Sequence, residues 1–170
     1  MVEVKNEVGS YPVFPGRKYR DLSVGEIFYD SVTVTEAHLV LACGIFKDFN
    51  PLHSSQTFGE RTAFKGRIMH GPFTSAVMAG LIGNYFTDTI IASLEQKVIF
   101  KAPVRPGDTL TTRWRVAKKE DKEKFEGGIV YLEGECVNQE GTLVASGEAK
   151  ALVGNGLVEA EEIFKSKGVN

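Results

Sequence analysis

Cysteine is scarce in this chain: Cys43 and Cys136 are its only two thiols, far apart and outside any CxxC or CxxH spacing. That pattern offers neither a disulfide framework nor a zinc cluster, so reduced, buried thiols and no resident metal are expected. An excess of either charge is also missing. Lys and Arg total 20 against 22 Asp and Glu, which excludes a broad basic footprint for nucleic acid or an anionic membrane and makes any anion-binding site local. Long unbroken apolar runs are absent too. The most apolar region, Ile68 to Phe86, is interrupted by His70, Gly71, Pro72, Gly80, Gly83 and Asn84, which argues against a membrane span. The first residues, Met1-Val2-Glu3-Val4-Lys5-Asn6-Glu7, show no basic segment leading into an apolar one, so a cytoplasmic protein is expected. No internal repeat or low-complexity segment stands out, and 170 residues suit one domain, residues 1–170, with a sizeable core.

What is present divides by period. Glu26 to Val34 is rich in β-branched and aromatic residues and predicts a strand. Thr35 then reads as the cap of a short helix with an acidic first turn, ending around Gly44. Within Lys47-Asp48-Phe49-Asn50-Pro51-Leu52-His53 the Asn-Pro step breaks regular structure, giving a loop that displays polar groups. A second helix is expected to start at Gly71-Pro72 and to run to about Phe86, with the small and apolar side chains of a buried helix. Four strands follow, at Ser93 to Lys101, Thr109 to Lys118, Gly128 to Asn138 and Thr142 to Val153. They are separated by Arg105-Pro106-Gly107-Asp108, the charged run Lys118 to Lys124, and Asn138-Gln139-Glu140-Gly141. A strand, helices and then a run of strands predicts an α+β fold, a sheet packed on one central helix.

Asp48-Phe49-Asn50-Pro51-Leu52-His53, followed by Arg67-Ile68-Met69-His70-Gly71-Pro72, resembles the hydratase signature of MaoC-like (R)-specific enoyl-CoA hydratases and dehydratases. Phe100 to Leu110 is similar to the strand and turn that follow the central helix in hot-dog proteins, so the likeness runs roughly from Asp21 to Val153. The resemblance implies a hot-dog fold, in which a curved antiparallel sheet wraps a long helix, and a homodimer or higher homo-oligomer with sheets joined edge to edge. It implies an acyl-CoA thioester substrate, with coenzyme A part of the substrate and no separate cofactor. Family members that carry a serine further along the helix are matched here by Ala79, with Thr74 and Ser75 the nearest hydroxyls.

The chemistry can be argued on its own terms. Hydrating an α,β-unsaturated thioester needs a held water, a group to take its proton, a donor for the α-carbon, and stabilisation of the enolate-like oxygen. Asp48 and His53 can supply the first three. Gly71, at the start of the helix, offers an unpaired N–H, the positive end of the helix dipole and no side chain to block close approach; Pro72 has no N–H to give. Asn50 and Pro51 are expected to hold the loop's shape, while the family resemblance casts His70, beside Gly71, as a residue that shapes the substrate site. Lys65 and Arg67 are candidates for the phosphates of coenzyme A, as are Lys101 and Arg105, with Arg67 favoured for its bidentate geometry. His38, with no partner signal, reads as an ordinary helix residue. Two rivals remain open. A hot-dog thioesterase commonly uses an acidic residue on or near the central helix, and Gly71 to Phe86 contains none; a non-catalytic acyl-CoA-binding subunit would have no need of the Asp48, Asn50, His53 and Gly71 set.

Overall fold

Alternation of buried and exposed residues along the later strands decides the architecture. The computed structural model describes residues 16–123 and 125–156. Over these, a 3-10 turn (Tyr19–Asp21) precedes β1 (Ile27–Thr33), α1 (Glu36–Phe46), two short helices α2 (Pro51–Ser54) and α3 (Gln56–Glu60), and the long α4 (Gly71–Tyr85). The chain then forms β2 (Ile90–Phe100), β3 (Thr109–Asp121), β4 (Gly128–Val137) and β5 (Leu143–Val153). In β3 the side chains of Leu110, Thr112, Trp114 and Val116 are buried while their neighbours are not, and Val130, Leu132 and Cys136 continue the pattern in β4. A period of two with one buried face is the signature of a sheet covered on one side.

The five strands pair antiparallel in the order β1-β3-β4-β5-β2, leaving β1 and β2 as the edges. Helix α4 fills the covered face with Thr74, Met78, Leu81 and Ile82, whereas Ala76, Gly80 and Gly83 are exposed on its other side. Only one face is therefore wrapped by this chain. Trp114, wholly buried, stands between sheet and helix and donates its indole N–H to the carbonyl of Met78 at 2.9 Å. Its bulk is accommodated by Gly134, directly opposite in the register, where a Cβ would fall 2.3 Å from the indole.

The expected α+β plan is present, with local corrections. Helix α1 runs two residues beyond Gly44, because Lys47 adopts the left-handed conformation (φ 55°) at its end. The charged run after Lys118 does not turn at once; β3 continues to Asp121, because the Lys119 ammonium donates to the carbonyls of Tyr19 and Leu22 at 2.8 and 2.7 Å. No helix among the described residues is long and apolar enough to cross a membrane.

The packing at Gly134 gives a stability test. Gly134→Ala is expected to cost about 1–3 kcal/mol through overpacking against Trp114. Gly44→Ala, in a helix with open space around it, should instead gain about 0.5–1 kcal/mol. Urea unfolding of the two variants checks both signs.

Candidate active site

The turn that ends α1 begins the site. Lys47 in its left-handed conformation lets the Asp48 N–H bond to the Cys43 carbonyl at 3.1 Å, which throws Asp48 off the helix end. Asp48 Oδ1 then accepts from the Asn50 N–H at 3.1 Å, and Asn50 Oδ1 accepts from the Leu52 N–H at 3.0 Å. Asn50 is thus the cap of α2, with Pro51 in its first turn, where a missing N–H costs nothing. This corrects the expectation that His53 lies on an irregular loop. The Asn-Pro step that breaks one helix starts another, and His53 sits on a single helical turn whose pitch aims it back at Asp48.

The Asp48 carboxylate Oδ2 lies 3.7 Å from His53 Nε2. A water set to one side of the line between them can reach both. The two environments differ: the His53 side chain is 12% exposed and that of Asp48 49%. His53 Nδ1 is 2.7 Å from the Ile68 carbonyl, which can only accept, so the proton belongs on Nδ1 and the Nε2 lone pair faces the carboxylate side. His70, 2% exposed, stacks on His53 with ring centroids 3.7 Å apart, and its Nε2 donates to the Asp48 carbonyl at 2.9 Å. Asp48, His53 and His70 each offer a ligating atom within 4.8 Å of the others. Face-to-face stacking, however, sets the in-plane lone pairs of the two rings side by side instead of converging them, so the trio suits proton transfer better than chelation.

Gly71 is the first residue of α4, with Pro72 second, and its N–H has no hydrogen-bond partner among the described residues. It is a free helix N-terminal donor, as expected. A Cβ there would lie 2.9 Å from the ring of Phe100, at the end of β2, so the glycine makes room for that ring. Phe100 is half exposed beside the donor.

The cationic candidates separate. Arg67 is engaged by Glu36 at 2.8 Å and by Gln56 at 3.3 Å, and is not a free guanidinium. Lys65 and Arg105 share a surface cavity of about 440 Å³ with it, and Arg105 also donates to the Phe64 carbonyl. Lys101 does not line that cavity. The Ile68 carbonyl, Phe46 and Phe100 were missed in the sequence; a backbone acceptor leaves no residue signature, and both rings reach the site through tertiary packing.

Asp48 and His53, close enough to share one water, stand at the same end of the fold as the unpaired Gly71 amide, an arrangement suited to acid–base chemistry on a helix-in-sheet fold. The chain matches the family model described as MaoC like domain over residues 25–135, and it belongs to that family. It is 33% identical to an (R)-specific enoyl-CoA hydratase of Aeromonas caviae over 131 residues, covering 76% of this chain and 94% of the relative. Among solved structures it resembles an unliganded R-hydratase of Pseudomonas aeruginosa, with a TM-score of 0.73, 29% identity, and 81% and 86% of the two chains covered. A Mycobacterium tuberculosis protein described as having a double hot-dog fold matches with a TM-score of 0.75 at 21% identity, covering 84% of this chain and 45% of that one. That likeness concerns the fold alone, and the fold is the hot-dog fold.

The capping role of Asn50 can be checked without substrate. Asn50→Ala should lower stability by about 1 kcal/mol and speed hydrogen exchange at the Leu52 amide. Unchanged protection there would contradict the capping geometry.

Proposed function

We propose that this protein is an (R)-specific enoyl-CoA hydratase that also dehydrates 3-hydroxyacyl-CoA, a hydro-lyase of fatty acid metabolism. The observation that carries the reading is the Asp48–His53 pair, 3.7 Å apart, with the free Gly71 N–H one residue along from His70, whose ring stacks on His53. In hydration, one member of the pair takes a proton from the shared water as its oxygen bonds to the β-carbon. The electron pair of the double bond shifts toward the thioester oxygen, where the Gly71 N–H stabilises the developing charge. A proton delivered to the α-carbon completes the addition, and the same steps in reverse expel water. Both groups reach the same water, so the two proton roles are assigned to the pair. The addition is redox-neutral, and the proposal names no cofactor beyond the coenzyme A carried by the substrate.

Asn50 holds the carboxylate's turn, and Lys65 with Arg105 would meet phosphate, Arg67 being steadied at their side by Glu36. The thioesterase alternative is disfavoured because α4 carries no acidic residue. The alternative of a non-catalytic acyl-CoA-binding or scaffold subunit leaves the joint presence of the pair and the amide without a purpose. Two free, buried thiols suit the reducing cytoplasm expected from the sequence.

We further propose a homodimer joined along β2. That strand is an 11-residue edge with Ile91, Leu94, Ile99 and Phe100 exposed, and an unpaired apolar edge is a template for a second copy. Sedimentation at micromolar concentration should show no monomer; a stable monomer would defeat this part of the proposal.

The activity is tested by turnover of trans-2-enoyl-CoA. Asp48→Asn and His53→Ala should each lose about 10²–10⁴ in rate. The double variant should be little worse than the poorer single one, because both residues act on one water. Circular dichroism and sedimentation should stay native. Variants with near-normal turnover would place the chemistry elsewhere.

A further inference from the structure

We infer that His70 is a positioning residue that locks both reacting groups and the oxyanion donor into one frame, an inference that rests on the hydratase reading. Three contacts support it. The Nε2–H of His70 donates to the backbone carbonyl of Asp48 at 2.9 Å, which anchors the exposed turn carrying the carboxylate. Its ring lies on the face of His53, centroids 3.7 Å apart and planes 27° off parallel, while the edge of Phe46 packs on it at 5.5 Å. Its own backbone, extended at φ −64° and ψ 139°, caps α4, with the His70 carbonyl accepting from the Phe73 N–H at 3.1 Å. The next atom along the chain is the Gly71 nitrogen. One side chain therefore touches the mount of Asp48 and the ring of His53, and its backbone sets the direction of the Gly71 N–H.

This arrangement is poor for stability. A carbonyl only accepts, so the bond to Asp48 fixes the His70 proton on Nε2 and leaves Nδ1 a bare lone pair. That nitrogen is buried and without a partner among the described residues. A buried unpaired acceptor destabilises a fold, and an apolar ring of similar shape would fill the same space without that penalty. What an apolar ring cannot do is donate to Asp48. The histidine thus serves the site at the expense of the fold, and the two effects can be separated experimentally.

His70→Phe keeps a ring against His53 and removes the donor, whereas His70→Gln places an N–H near the Nε2 position. With trans-2-enoyl-CoA as substrate, His70→Phe is expected to lower kcat about a hundredfold with little change in KM, because a misplaced reacting group costs rate more than binding. Its melting temperature should equal or exceed that of the wild type. His70→Gln should recover most of the lost kcat. Nitrogen-15 spectra of the wild type should show the His70 proton on Nε2, a readout that needs no turnover. A His70→Phe enzyme with near-wild-type kcat overturns the inference, as does a Gln variant no faster than Phe, or a proton found on Nδ1. A wild type inactive on every enoyl-CoA would reject the hydratase reading, and the spectra would still decide whether the clamp exists.

Discussion

Trp114 is the contact on which the rest of the molecule depends. Its indole occupies the space that Gly134 leaves open and bonds to the Met78 carbonyl, so it sets both the distance and the rotation of α4 against the sheet. A side chain this large and fully buried, if truncated, costs about 3–5 kcal/mol. Its consequence for the site is geometric. Once the middle of α4 is pinned, its N-terminus can emerge at only one place, and there the Met69 N–H bonds to the Val104 carbonyl at 2.7 Å and the Ile68 N–H to the Leu52 carbonyl at 3.1 Å. The core thereby delivers the Gly71 amide and the short helix bearing His53 to the same end of the fold.

The site itself is assembled from two rigidities of different kinds. His53 is held by burial, by the Ile68 carbonyl and by the face of His70. Asp48 is half exposed and is held by a chain of backbone-directed bonds running through Asn50 and Leu52. A carboxylate left partly in water keeps access to solvent, which any reaction that consumes or releases water requires. The imidazole opposite is kept in one tautomer with its lone pair turned inward.

Much of this was legible in the sequence where the signal is local. Gly71-Pro72 marked the start of α4, and β-branched content with turn punctuation located the strands to within about three residues, because both rest on backbone chemistry that acts over a few positions. Asp48, His53 and Gly71 were singled out because their spacing carries a recognisable signature, and the structure sets the first two 3.7 Å apart and leaves the Gly71 N–H without a partner among the described residues. The misses share a cause. Lys47 ends α1 in a conformation usually left to glycine, so the helix boundary was placed early. Asn50-Pro51 is equally a helix breaker and a helix cap, and only the fold decides which. Helix α3 is five residues long, too short to show a period. The pairing of Arg67 with Glu36 and the ring of Phe100 over Gly71 join residues about thirty apart, which no local pattern reveals.

Hydration adds water across a conjugated thioester while the thioester itself survives. It is tested most directly by incubating the wild-type protein with a trans-2-enoyl-CoA and following enoyl absorbance, free thiol and the configuration of the product together. Loss of the enoyl absorbance, no released thiol, and an (R)-3-hydroxyacyl-CoA are expected. Release of free thiol with the double bond intact, or a product of (S) configuration, would contradict the hydratase reading.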